Sequence, residues 1–261
     1  MKNTQEEWDQ VDPYNVEDDK WWVKLEHLGR YLFAADYLTQ FQPTAVADIA
    51  AGVGYGIPEL KKASSSIVAV DSSSEMLSLA LARYGGPDVT FVQHDIDQDT
   101  VASKIGESSV DAVVSFETLE HLLNPSGAIE QFSQILSPGG ILICSVPNVL
   151  FEPLWPIRMG AAGLPANKCH AQLFSYNSFS RLLNQHGFKI NYRVGQSWTN
   201  ILYRRESELA QKELLQLKTG DRRELHSPEM IRMFANLLGY PTAEDVEGSY
   251  SIIVVAQKAG S

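Results

Sequence analysis

The sequence predicts a doubly wound α/β fold, in which helices cover both faces of a mainly parallel β-sheet. Apolar strand-like runs alternate with helical segments over residues 44–147, as is typical of right-handed β-α-β crossovers. A glycine-rich turn at residues 52–56 links the first of these strands to a helix. Acidic residues follow the first three strands, at Asp48, Asp71 and Asp95, where such sheets bind ligands.

Length and composition bound the class of protein. The chain has 261 residues, which suits a single domain with insertions. Its formal net charge of −11 disfavours DNA, RNA and anionic membranes as partners. Two cysteines are too few for a disulfide framework, and no apolar run in the sequence reaches membrane-spanning length. We therefore expect a cytoplasmic protein.

Residues 1–40 are expected to form an N-terminal lid. The first 18 residues are polar and acidic, whereas apolar residues recur at helical spacing from Asp19 to Gln40. Two interpretations of the polar residues on this helix stay open. They belong to a salt-bridged helix face, or Arg30 or Tyr31 reaches a carboxylate of the ligand.

The first strand runs into Ala50-Ala51-Gly52-Val53-Gly54-Tyr55-Gly56 and then into a helix. Alternate glycines let backbone N–H groups approach a ligand, and the helix N-terminus offers unpaired donors to an anionic group. A dinucleotide site would need a further glycine where Ile57 stands. The phosphate-loop pattern is also absent, because no Gly-Lys-Ser/Thr follows.

The second strand, Ser66–Asp71, ends in an acid 19 residues after Gly52. In doubly wound folds, a strand-end acid about 20 residues after the glycine turn meets a ribose diol, since a carboxylate accepts both hydroxyl hydrogen bonds. Ser72 and Glu75 predict a capping box for the next helix.

The remaining elements follow in order. Residues 44–147 are expected to bind the cofactor, with further strands at 89–94, 110–115 and 141–146 and a helix at 126–136. Residues 148–261 form the predicted substrate half, which contains an irregular segment at 149–172, a helix at 175–187, a strand at 188–195, a helical insertion at 198–249 and a last strand at 250–258.

Five motifs, in order and at normal spacing, resemble those of class I S-adenosylmethionine-dependent methyltransferases: D-I-A-A-G-V-G-Y-G, V-A-V-D, H-D-I, S-F-E-T-L-E-H and L-S-P-G-G. The stretch L-F-S-Y-N-S-F-S-R-L-L-N-Q-H-G-F is similar to ubiquinone-biosynthesis-type small-molecule O-methyltransferases. The resemblance implies a Rossmann-like, seven-stranded sheet with an antiparallel last strand.

The resemblance also implies S-adenosylmethionine as the cofactor. The residues that it assigns to cofactor binding are Ala50, Gly52, Gly54, Asp71, Ser72, Met76, Asp95, Ile96 and Phe116. Within this set, Asp95 is expected beside the adenine amino group and Ile96 against the ring. Ala50 stands where the family has its first glycine.

Glu117, Glu120 and His121 follow the fourth strand and are expected to share one face of a helical turn beside the sulfonium. Three interpretations stay open. The acids cap the turn and His121 packs over it, or His121 is the general base. In the third, E-x-x-E-H resembles the metal motif of ubiquinone-pathway O-methyltransferases and small-RNA 2′-O-methyltransferases. Glu117, Glu120, His121 and His170 would then hold Mg²⁺, Mn²⁺, Fe²⁺ or Zn²⁺.

The predicted function is methyl transfer from S-adenosylmethionine to a small-molecule acceptor, with an oxygen nucleophile of a natural-product or glycan precursor preferred. Phe151, Trp155, Phe174 and Tyr176 are candidate walls of the substrate pocket or parts of the core. An RNA 2′-O-methyltransferase and a non-catalytic binding protein of the same fold are the alternatives. The 198–249 insertion is interpreted as a substrate cap or a homodimer face.

Overall fold

A seven-stranded β-sheet organises the described part of the chain. Its strands are β1 (Ala45–Ile49), β2 (Ser66–Asp71), β3 (Val89–Gln93), β4 (Val110–Phe116), β5 (Leu136–Pro147), β6 (Phe188–Gln196) and β7 (Ser251–Lys258). The spatial order is β3-β2-β1-β4-β5-β7-β6. Strands β1 to β5 pair in parallel, whereas β7 is antiparallel to both β5 and β6. The predicted doubly wound sheet with an antiparallel last strand is confirmed.

The structure is a computed structural model that describes residues 12–14, 21–98, 100–150, 170–196, 227–242, 246 and 248–260. Its helices are α1 (Trp21–Thr39), α2 (Ile57–Leu60), α3 (Ser74–Tyr84), α4 (Ala102–Ile105), α5 (Pro125–Ile135), α6 (Tyr176–Gln185) and α7 (Pro228–Leu238), with a 3₁₀ turn at Leu119–His121. The expectations for Phe151, Trp155, the first 11 residues and most of the 198–249 insertion lie outside the described residues.

Two apolar clusters cover the two faces of the sheet. Side chains of α1, α2, α3 and α7 form the cluster on one face, and side chains of α5 and α6 form the cluster on the other. Successive residues of β4 divide between them, since Ala112 and Val114 join the first cluster and Val113 joins the second. Strand β7 reads as a continuous apolar run, Ile252–Ala256, because both of its faces are covered.

Several boundaries differ from the predicted ones, and those at the starts of α3 and β5 are the clearest. Helix α3 is capped by Ser73 rather than Ser72, and the Ser73 hydroxyl accepts a hydrogen bond from the Met76 N–H. Strand β5 begins at Leu136, earlier than predicted, because Leu136 already pairs with Val110 before the register shifts.

Helix α1 and the end of α7 meet backbone to backbone. A Cβ atom added to Gly29 would lie 2.1 Å from the Gly239 carbonyl oxygen. Arg232 of α7 also forms an ion pair with the fully buried Glu59 of α2. Helix α7 is thereby attached both to α1 and to the helix that follows the glycine-rich turn.

None of the described helices combines the length and the apolar character that a bilayer span requires.

Replacing Gly29 with alanine is expected to lower the free energy of unfolding by about 1–3 kcal/mol through overpacking. Helix propensity alone would favour alanine, so a loss of stability reports the close contact with Gly239. Gly86→Ala is the control, because the nearest atom to its added Cβ is the flexible Lys61 Nζ at 3.9 Å. Urea unfolding of both variants measures the difference. A Gly29→Ala protein as stable as the control would contradict the contact.

Candidate functional site

The loop after β1 has the left-handed backbone that a close ligand approach requires. Its φ angles are 63° at Ala50, 54° at Gly52 and 77° at Gly54. A Cβ at Gly54 would lie 2.8 Å from the Ala80 side chain, whereas nothing lies within 4 Å of a Cβ at Gly52. Gly54 therefore permits helix packing, and Gly52 borders open space. Ala50 bears a strain of about 1–2 kcal/mol that glycine would not have.

Asp71 connects this loop to the end of β2. Its Oδ2 atom accepts a hydrogen bond from the Gly52 N–H at 2.8 Å, and its Oδ1 accepts one from the Ser73 N–H at 2.9 Å. The carboxylate is half-buried. Ser72 beside it is exposed, and Met76 is buried beneath the first turn of α3.

The other predicted cofactor residues follow the neighbouring strands. Asp95 accepts hydrogen bonds from the Asp97 N–H at 3.0 Å and the Gln98 side chain at 2.7 Å, and Ile96 is buried. Phe116 ends β4. The carboxyl ends of parallel strands meet at one edge of a sheet, so this set lies along the edge where doubly wound folds bind ligands.

Tyr31 of α1 covers the glycine loop. A Cβ at Gly56 would lie 2.1 Å from the Tyr31 ring, and the Phe116 ring packs edge-on against it at 5.0 Å. The Tyr31 hydroxyl donates to Asp48 Oδ1 at 2.9 Å. The sequence left Tyr31 as a candidate to bind a carboxylate of the ligand. In the structure, its hydroxyl binds the carboxylate of Asp48 instead.

Arg30 is buried in a polar network at the carboxyl end of β4. Its Nε donates to Gln196 Oε1 at 2.7 Å, and its Nη1 lies 3.3 Å from His27 Nδ1. Its Nη2 lies 3.8 Å from Glu117 Oε2, and only 2% of the Arg30 side chain is exposed. The guanidinium is surrounded by the protein's own acceptors. Burial lowers the pKa of Arg30, but Glu117, Tyr250 and Glu26 more than offset this and raise it overall.

Glu117 is held on both sides of its carboxylate. Opposite Arg30, the Oε1 atom accepts hydrogen bonds from Ser145 Oγ at 2.7 Å and Ser251 Oγ at 2.9 Å. The backbone φ of Glu117 is 48°, a left-handed value that is strained for a residue other than glycine. The side chain nevertheless keeps 18% of its surface exposed, so it is fixed but still reachable.

Glu120, His121 and His170 form a separate group. One ligand atom from each lies within 4.8 Å of the others. Glu120 is almost completely buried and His121 is exposed, with Glu120 Oε1 3.7 Å from His121 Nε2. The Glu120 carbonyl accepts hydrogen bonds from the N–H groups of Ala171 and Gln172 at 2.8 and 2.9 Å. These two bonds bring His170 beside the turn.

The expectation that Glu117 shares a face with Glu120 and His121 is wrong. The 3₁₀ turn begins only at Leu119, and Glu117 precedes it with a left-handed backbone. The structure thus joins three of the four predicted metal ligands and directs Glu117 to Arg30 instead.

Sequence reasoning missed several residues around Glu117. Ser145, Gln196 and Ser251 are polar, buried and located at strand ends, and their only signal was a polar residue next to an apolar run. Phe174 is a core residue, since it is buried and packs 5.7 Å from the Phe179 ring. The Tyr176 ring lies 4.6 Å from the Arg193 guanidinium.

Comparison with known proteins gives a family match. A family model described as a methyltransferase domain matches residues 24–192. A probable S-adenosylmethionine-dependent methyltransferase of Mycolicibacterium smegmatis is 26% identical over 152 residues, which cover 58% of this chain and 54% of that protein. A ubiquinone biosynthesis O-methyltransferase of Dinoroseobacter shibae is 27% identical over 134 residues, or 48% and 52% of the two chains. The chain spans about half the length of the curated relatives it matches.

Solved structures show the same fold. A methyltransferase from Haloferax volcanii, solved in complex with the Trm112 methyltransferase activator, superimposes with a TM-score of 0.59 at 17% identity. The match covers 99% of each chain.

Stability is expected to depend on pH through Asp48. Burial raises its pKa from 3.8 to about 7, the Tyr31 hydrogen bond opposes this, and Asp71 adds to it. The folded state then holds a proton that the unfolded state has lost, so stability falls as the pH rises from about 4 to about 7.

Asp48→Asn removes this titration. We expect the unfolding free energy of the variant, measured relative to that of wild type, to be about 2–3 kcal/mol higher at pH 8 than at pH 5. Urea unfolding at both pH values measures it. Asp111→Asn is the control, because Asp111 accepts backbone N–H bonds from Thr44 and Ala45 at the opposite edge of the sheet. If the difference in unfolding free energy between Asp48→Asn and wild type is the same at pH 5 and pH 8, the raised pKa of Asp48 is refuted.

Proposed function

The chain belongs to the methyltransferase-domain family, and we propose that it transfers a methyl group from S-adenosylmethionine to an oxygen nucleophile of a small-molecule acceptor. The observation that carries this proposal is the contact of Asp71 with the Gly52 N–H, beside a loop position that borders open space. The similarity to the ubiquinone biosynthesis O-methyltransferase of Dinoroseobacter shibae supports oxygen as the methylated atom.

The residues at the carboxyl edge of the sheet fit this cofactor. Asp71 has a half-buried carboxylate for a ribose diol, and Ile96 offers an apolar side chain to the adenine. The left-handed loop from Ala50 to Gly54 lets backbone approach the ligand. Ser72, Met76, Asp95 and Phe116 complete the proposed set. When bound, S-adenosylmethionine supplies an electrophilic methyl group, so the protein must orient the acceptor and accept its proton.

His121 is the proposed proton acceptor. It is exposed, its Nε2 lies near the buried Glu120 carboxylate, and an imidazole titrates near neutral pH. Glu117, fixed by Arg30 but reachable, is the second proposed catalytic residue.

A divalent metal is the alternative route to the same deprotonation. One carboxylate and two imidazoles, from Glu120, His121 and His170, are a donor set suited to zinc, iron or manganese. When bound, such an ion lowers the pKa of a hydroxyl oxygen that it contacts.

The acceptor is proposed to be a natural-product or glycan precursor. A net charge of −11 disfavours RNA, whose phosphates it would repel. The position of α1, with Tyr31 over the glycine loop, supports a lid role for residues 1–40 within a single domain. The cytoplasmic location remains a prediction.

S-adenosylmethionine binding tests the basis of the proposal. Asp71→Asn is expected to weaken binding at least about ten-fold, since a charge-assisted hydrogen bond contributes about 1.5–3 kcal/mol. Asp111→Asn, which alters a carboxylate at the start of β4 on the opposite edge of the sheet, should bind as wild type does. Isothermal calorimetry measures both affinities. Absence of binding to wild type, or equal affinities for all three proteins, would refute the cofactor site.

Turnover tests the acceptor and the base. A library of hydroxyl- and amine-bearing metabolites is screened for S-adenosylhomocysteine release, and we expect hydroxyl compounds to score. On the best acceptor, His121→Ala should lower kcat about 10²–10⁴-fold while cofactor affinity persists. His186→Ala, a histidine bonded to Ser126, is the control. Turnover of amines alone would exclude the oxygen assignment.

A further inference from the structure

We infer that Arg30 restricts the protein's metal ligands to Glu120, His121 and His170 by holding Glu117 in a separate ion pair. The inference rests on the metal-assisted form of the proposed function. It divides the two acids of E-T-L-E-H between two sites, although their spacing alone suggests one. Four observations support it.

The first observation is the fixed position of Arg30. Its Nη2 faces Glu117 Oε2 at 3.8 Å, and its Nε donates to Gln196 Oε1 at 2.7 Å. Gln196 in turn donates through Nε2 to the Glu26 and Gly239 carbonyls. The guanidinium is therefore anchored to α1, to the end of β6 and to the residue that follows α7, and it cannot follow Glu117 to another site.

The second observation concerns the serine hydroxyls on the other side of Glu117. Ser145 and Ser251 are both fully buried, and both donate to Glu117 Oε1. If Glu117 turned to a metal ion, each hydroxyl would lose this acceptor in a place that water does not reach. Buried polar groups that lose their partners are costly, and Arg30 would lose a charged partner as well.

The third observation is the backbone of Glu117. Its N–H points to Ser145, with the carbonyl oxygen at 3.3 Å and Oγ at 3.1 Å. Its φ of 48° ends the strand abruptly, and the 3₁₀ turn that carries Glu120 and His121 begins two residues later. The main chain thus separates Glu117 from the turn.

The fourth observation is the donor group itself. Glu120, His121 and His170 already bring three ligand atoms within 4.8 Å of one another, and the group does not include Glu117. Three protein ligands of this kind leave coordination positions open for oxygens of a water molecule or an acceptor. A fourth protein ligand would occupy one of them. Arg30 thus preserves an open position.

Zinc titration of the full-length protein by calorimetry tests the inference. Glu120→Gln removes a ligand and should lower zinc affinity at least about ten-fold, whereas Glu117→Gln should change it by less than about three-fold. The two variants make the same chemical change three residues apart. Circular dichroism of each variant establishes that it is folded.

The absorption spectrum of bound cobalt(II) is a second measurement. It reports the coordination geometry of the ion, so it does not respond to a distant charge as affinity does. Wild type and Glu117→Gln should give the same spectrum. Arg30→Met frees Glu117 and should alter the spectrum, and adding Glu117→Gln to Arg30→Met should restore it. A folded Arg30→Met protein with the wild-type spectrum would contradict the role of Arg30. If the Arg30 variant does not fold, the comparison of Glu117→Gln with Glu120→Gln still tests whether Glu117 is a ligand.

Two further outcomes, both from metal binding itself, overturn the inference in distinguishable ways. If Glu117→Gln lowers zinc affinity as much as Glu120→Gln does, Glu117 is a ligand and the inference alone is wrong. If wild type binds neither zinc nor cobalt, the metal-assisted form of the proposed function fails together with the inference. Cofactor binding is measured separately and is unaffected by either result.

Discussion

The buried charge of Arg30 is the constraint on which the candidate site depends. A guanidinium that is almost fully removed from water requires charged and polar partners, and its partners come from distant parts of the chain. Glu117 follows β4 and Gln196 ends β6, whereas the nearby His27 lies one turn earlier on α1. The requirement to satisfy one cation therefore brings the N-terminal helix onto the carboxyl edge of the sheet.

The candidate site has two parts, the glycine loop and the Arg30 network, which are held together by different kinds of contact. In the loop, backbone groups make the contacts: the φ angles at Ala50, Gly52 and Gly54 are left-handed, and the Gly52 N–H donates to Asp71. Around Glu117, buried side chains of α1, β5 and β7 hold the carboxylate in place. Tyr31 joins the parts, because its ring packs on the loop and against Phe116 at the end of β4.

The sheet and the residues along its carboxyl edge could be predicted because their signals are local. A strand, a glycine turn and a strand-end acid are read from consecutive residues, and the contact of Asp71 with Gly52 follows from a spacing common to doubly wound folds. The partners of Glu117 could not be predicted, since Ser145 and Ser251 meet it only through strand pairing across 28 and 134 residues. The left-handed backbone of Ala50 was also missed, because alanine disfavours positive φ angles and its presence does not indicate one.

The position of β7 affects the order in which the site is assembled during synthesis. Among the described strands, β6 pairs only with β7, and β7 supplies the Ser251 hydroxyl to Glu117. Both partnerships span long stretches of sequence, and such contacts form late in folding. The hydrogen bonds around Glu117 are therefore complete only after residues 251–258 have left the ribosome, and until then the edge of β5 lacks its β7 partner.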